Sequence, residues 1–188
     1  MNENDLRVIK TKKVLKETLK QLIIEHNDFT TINVKELCEK AHINRRTFYL
    51  HYQSINDILL EAQEEFALNF YNQTKQYDHI LNIKETMLIF FQMANNNPVY
   101  EKIVLSPIYD YLRINIKKKT IDYLYSNNNL NIIKQMDDIT KNLIEDFYHS
   151  TTISCYRIWT NNNKSIPIDK MAEIAADLIN NGLNSIIK

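Results

Sequence analysis

Asn44-Arg45-Arg46-Thr47-Phe48-Tyr49-Leu50-His51-Tyr52, preceded by Val34-Lys35-Glu36-Leu37-Cys38-Glu39-Lys40-Ala41-His42-Ile43, is the stretch that decides the fold. Asn33 is an N-cap residue with Glu36 three positions on, and Leu37 and Ala41 form an apolar i, i+4 pair, so a short helix starts at Val34. After the His42-Ile43 corner, Asn44 caps a second helix that buries Phe48 and Tyr52, again four apart. Two helices sharing a small core in this way form a helix-turn-helix. At about 100° per residue the side away from Phe48 carries Arg46, Thr47, Tyr49 and Leu50, flanked by Arg45 and His51. Cations, a hydroxyl, a phenol and an imidazole suit the phosphates and base edges of double-stranded DNA.

Residues 29 to 60 resemble the N-terminal DNA-binding domain of TetR-family transcriptional regulators. Val34, Leu37, Ala41, Ile43, Thr47, Phe48, Tyr49, His51, Tyr52 and Ser54 match that family's pattern in type and spacing. Three departures matter. The turn glycine is replaced by His42, a residue that tolerates the left-handed region at some cost. The glycine of the reading helix is Arg46, which adds a bidentate donor on the groove side. The lysine that usually opens the fourth helix is Ile55, which removes one expected phosphate contact, for which Asn56 or the first amides of that helix substitute in part. The resemblance implies an operator-binding set of Asn33, Lys35, Asn44, Arg45, Arg46, Thr47, Tyr49, Leu50, His51 and Asn56. It further implies a homodimer, a palindromic operator, a small-molecule effector and repression by default.

Composition points the same way. One glycine (Gly182) and three prolines (Pro98, Pro107, Pro167) in 188 residues leave few tight turns, so the chain reads as all-α, with about nine helices. One glycine also rules out a P-loop, a dinucleotide fingerprint and a glycine-framed nucleophile elbow. The net charge is zero but unevenly spread. Residues 1–55 carry 10 Lys/Arg against 7 Asp/Glu, a net +3, and the remainder carries 13 against 16. A basic head on an acidic body fits a nucleic-acid partner. Lys10, Lys12, Lys13 and Lys16 are either a solvated helix face or phosphate contacts.

Expected boundaries place a helix-turn-helix domain at 1–54 and an effector-binding and dimerisation domain at 55–188. The first helix runs from near Asp5 to His26 with Leu15, Thr18, Leu19, Leu22 and Ile23 on its apolar stripe. Ser54 and Asp57 open a fourth helix to about Tyr77. Further helices follow at 83–95, from Pro98 to about Leu105, from Pro107 through Tyr125, from Asp137 to about Thr160, and from Pro167 to about Ile187. The last two are expected to form a four-helix dimer interface through Phe147, Thr151, Ser154, Ile158, Ile174, Leu178, Ile179 and Gly182, with intrachain core as the competing role. The stretch ending Arg157-Ile158-Trp159 also resembles, more weakly, the dihydroxyacetone-utilisation regulators, a subgroup that includes activators.

Met87, Phe90, Phe91, Tyr100, Tyr109 and Tyr125 are candidate linings of an aromatic effector pocket, although helical spacing favours core packing for any one of them. Cys38 and Cys155 stand alone, and His79, His149 and Asp146 have no ligand spacing, so no metal or other cofactor is expected. The adjacent acidic pairs Glu64-Glu65, Asp137-Asp138 and Glu145-Asp146 point to different helix faces and make no catalytic constellation. No apolar run reaches the roughly 18 residues of a membrane span, and the polar N-terminus lacks a secretory core, so a reduced, cytoplasmic protein is expected. An architectural DNA-binding protein without a ligand is the alternative that composition leaves open.

Overall fold

The computed structural model describes residues 6–112 and 136–183. Among these, eight α-helices follow one another: α1 (Leu6–Glu25), α2 (Val34–Ala41), α3 (Arg45–Tyr49), α4 (Ile55–Thr74), α5 (Ile83–Asn95), α6 (Pro98–Leu105), α7 (Asp138–Asn161) and α8 (Ile168–Leu183). A 3₁₀ turn at Phe29–Thr31 precedes α2, and residues 108–112 are also helical. No strand occurs among the described residues, as expected for an all-α chain. Tyr125 and the expected break at residues 126–129 lie outside them.

The chain divides into two compact units, 1–65 with 98–116, and 66–97 with 117–188. The division falls inside α4, eleven residues beyond the boundary expected after Ser54, and it assigns α6 to the first unit. Local chemistry explains that assignment. The Lys102 ammonium on α6 donates to the carbonyls of Ile24 and His26, each at 2.8 Å, and so caps the open C-terminal end of α1.

In the first unit, α1 buries Leu15, Thr18, Leu19, Leu22 and Ile23, the anticipated stripe. In the second, α8 packs on α5 and α7, burying Met171, Ala172, Ala175, Ala176, Ile179 and Leu183. Rings fill the space between: Phe91 lies 5.3 Å from Tyr156 and 6.0 Å from Trp159, and Phe90 meets Phe66, Phe70 and Tyr156 edge-on at about 6 Å. The α7 helix ends without glycine. Asn163 (φ 55°) and Lys164 (φ 52°) take left-handed conformations, and the Lys164 amide returns to the Trp159 carbonyl at 2.9 Å.

The fourth helix stops at Thr74, three residues short of the expected Tyr77. The Thr74 hydroxyl donates back to Phe70 O at 2.8 Å, and beyond it Asp78 Oδ1 accepts from the amides of Ile80 and Leu81 while the Asp78 amide donates to Asn82 Oδ1. These side-chain bonds supply an alternative to further helix. They also fix His79, which is buried edge-on to Phe70 with Nε2 3.0 Å from Thr74 Oγ1. Because the Thr74 proton goes to Phe70 O, His79 donates from Nε2, and its buried Nδ1 has no hydrogen-bond partner. Burial pulls this imidazole down to about 4, against a smaller opposing pull from Asp78.

A stability consequence follows from the sign of that shift. Between about pH 6.5 and pH 4 the unfolded chain holds a proton on His79 that the folded chain refuses, so stability rises with pH across this window. It is complete above the unfolded value and is lost as pH falls toward 4, by up to about 3 kcal/mol. Urea midpoints of the native chain and of His79→Leu, measured from pH 7.5 to 4, should diverge, with the variant losing less. Parallel curves would show that His79 does not carry the acid sensitivity.

Candidate nucleic-acid interface

The head is built on three side-chain caps. Asn33 Oδ1 accepts from the Glu36 amide at 3.1 Å and starts α2; Asn44 Oδ1 accepts from the Arg46 amide at 2.8 Å and starts α3. Asp57 Oδ2 accepts from the Gln53 and Ser54 amides at 2.6 and 3.0 Å and starts α4. The reciprocal half of the α2 capping box is diverted, since the Glu36 carboxylate lies 2.7 Å from His26 Nε2. His26 therefore ties the end of α1 to the start of α2.

His42 adopts φ 53°, ψ 37°, the left-handed conformation that the missing turn glycine would have supplied, and its amide closes the end of α2 on Cys38 and Glu39. The corner turns α3 so that Phe48 is fully buried beside Tyr52, their rings 5.9 Å apart. Tyr49 meets Phe48 edge-on at 5.2 Å yet stays 59% exposed. Lys35, Asn33, Asn44, Arg45, Arg46 and Leu50 are also exposed, while Thr47, His51 and Asn56 are half-buried. The helix-turn-helix thus holds Asn44, Arg45, Arg46, Thr47, Tyr49 and Leu50 together along α3, with Lys35 and Asn33 at the start of α2 and Asn56 at the start of α4. His51 turns Nδ1 inward, where that atom has no hydrogen-bond partner.

Two of the basic residues of α1 have other work. Lys12 bonds Glu61 at 2.8 Å, and Lys16 lies 2.5 Å from Glu65 and 3.6 Å from Glu61. Tyr52 donates its phenol to the same Glu61 at 2.9 Å, with the Lys12 ammonium 5.0 Å from the centre of its ring. Partial burial pushes the Glu61 carboxylate up, but the Lys12 and Tyr52 hydrogen bonds outweigh it and hold the group below its ordinary range. Burial, reinforced by Glu61, holds the Tyr52 phenol well above its own. Lys12 and Lys16 therefore brace α1 against α4 and the end of α3. Sequence spacing of 49 residues gave no sign of these pairs.

The described candidate pocket residues fall in both units. Met87, Phe90 and Phe91 are buried in the second unit, Tyr100 and Tyr109 in the first. Each is packed as core, the competing role named above. Of the interface candidates, Phe147, Ser154, Ile158, Ile174, Leu178 and Gly182 lie on the exposed side of α7 and α8, and Thr151 is half-buried there. Ile179 does not belong with them: it is fully buried within its own chain. Gly182 admits a neighbour of its own chain, since a Cβ there would meet Phe147 Cζ at 2.6 Å. Exposed Ile139 and Leu143 extend the same α7 stripe. Among the described residues no group of three or more His, Cys, Asp or Glu is placed to hold a metal ion, and no helix is long and apolar enough to cross a membrane.

The chain has the fold of the TetR-family transcriptional regulators. It is similar to a TetR-family transcriptional regulator of Streptomyces coelicolor (TM-score 0.55, 14% identity, 89% of this chain and 78% of that one). It is also similar to the fatty acid degradation regulator FadR of Bacillus halodurans (TM-score 0.64, 16% identity, 92% and 96%). The dihydroxyacetone kinase operon activator DhaS superposes with a TM-score of 0.54 at 17% identity over 96% of this chain and 99% of that one. In sequence, 55 residues are 31% identical to YxbF of Bacillus subtilis, an uncharacterised HTH-type transcriptional regulator; the match spans 29% of this chain and 14% of that protein. No protein-family model matches.

Proposed function

We propose that this protein is a DNA-binding transcriptional regulator acting as a homodimer, whose two α3 helices enter successive major grooves of a palindromic operator, roughly 34–36 Å apart. The observation that carries this reading is the capped, left-handed-turn helix-turn-helix with Arg45, Arg46, Tyr49 and Leu50 exposed on one helix and Phe48 locked beneath them. Between Ile43 and Tyr52 the sequence has no acidic residue, so nothing on α3 repels phosphate. Pairing of two chains is supported by the exposed apolar stripe Ile139, Leu143, Phe147 and Ile158 on α7 with Ile174 and Leu178 on α8, which a lone chain would leave in water. Control by a small, largely apolar effector in the aromatic second unit, and repression as the default outcome, complete the proposal.

Selection of bound duplexes from a random pool tests it directly. A recurring inverted repeat is the expected product, and recovery of no enriched sequence would overturn the reading. On the recovered duplex, Arg45→Ala or Arg46→Ala should cost about 1–3 kcal/mol with relaxed choice at one position per half-site, as for a guanidinium that reads a guanine. Tight, unrelaxed binding by both variants would remove the base-reading role from these arginines.

A further inference from the structure

The least expected side chain on the proposed reading face is Leu50. It is 61% exposed at the end of α3, on a surface otherwise made of groups that hydrogen-bond. Its backbone (φ −74°, ψ −19°) continues the helical phase, so Leu50 stands four residues from Arg46 and three from Thr47, on their side and away from buried Phe48. An exposed leucine is unremarkable on most surfaces. Here it shares a face with Arg46 and half-buried Thr47, on a helix whose opposite side is locked into the core. The major groove offers such a group one apolar partner, the C5 methyl of thymine.

We propose that Leu50 determines specificity by packing on a thymine methyl, an assignment that rests on the DNA-binding reading above. A helix rises about 1.5 Å per residue, so Arg46 and Leu50 are about 6 Å apart along α3. Stacked bases are about 3.4 Å apart, which puts the thymine within about two steps of whatever base Arg46 reads. Each half-site therefore carries the thymine once. Burying one methyl accounts for about a three- to tenfold gain in affinity per half-site.

Uracil provides the test, because it pairs as thymine does and lacks only the methyl. Duplexes recovered from the random pool are remade with uracil at each thymine in turn, and affinities are measured for the native chain and for Leu50→Ala. One thymine per half-site should show the three- to tenfold loss with the native chain, and Leu50→Ala should bind thymine and uracil duplexes equally, at the weaker affinity. Leu50 is exposed, so the variant folds, and its thermal transition should match that of the native chain. Either of two results overturns the assignment while leaving DNA binding intact: no thymine is sensitive to uracil, or the sensitivity survives in Leu50→Ala. Failure to recover any duplex would overturn both readings together.

Discussion

Leu178→Glu should yield a folded monomer that has lost tight operator binding, whereas Ile179→Ala, one residue along, should yield a destabilised chain. The two side chains leave α8 in different directions. Leu178 is 54% exposed and in line with Ile174, while Ile179 has no exposed surface and lies in the core with Met171 and Ala175. In a two-fold interface each substitution appears twice, so a glutamate at 178 would bury two unpaired charges, at roughly 3–5 kcal/mol each. A single head then binds without the help of its partner, and the loss in affinity is the effective concentration that the second head enjoyed. Ile179→Ala should instead cost about 2–5 kcal/mol of folding stability through the cavity it leaves. Light scattering with thermal melts separates the two. A dimer at micromolar concentration for Leu178→Glu, with an unaltered melt, would move the interface off this face.

That contrast marks how far sequence could be read. Asn33, Asn44, Ser54 with Asp57, and the Phe48/Tyr52 pair announce themselves within four residues of the groups they engage, so the head was legible down to the left-handed His42. Periodicity also identified α8 as apolar. It does not say which neighbour covers each residue, because apolar side chains run round more than one face of that helix, and so spacing groups Ile179 with the outward stripe. The same limit applies to Lys12 and Lys16: their helical spacing is that of a solvated face, and only the arrival of Glu61 and Glu65 from α4 turns them inward. A capping box at Ser54 marks where a helix begins, not where a packing unit ends. The compact head consequently extends to Glu65 and takes in α6, with Lys102 closing α1, and Tyr100 and Tyr109 go with it.

The weight that the head places on one ring gives the other large expected effect. Phe48 is fully buried in a helix of five residues, too short to persist without tertiary contacts. It touches Tyr49 and Tyr52 edge-on or tilted, and through Tyr52 it is coupled to Glu61 and hence to Lys12 on α1. Removing the ring in Phe48→Ala should therefore cost about 3–5 kcal/mol, more than any cap or ion pair in the head. The loss should be local. The aromatic cluster of Phe91, Tyr156 and Trp159 belongs to the other unit, so the fluorescence of Trp159, the sole tryptophan, should keep its native spectrum while amide exchange accelerates across α2 and α3. DNA binding should fall for every sequence alike, unlike the position-specific losses of Arg46 and Leu50 variants. Retention of native exchange protection in α2 and α3 would show that α3 is held by something other than Phe48.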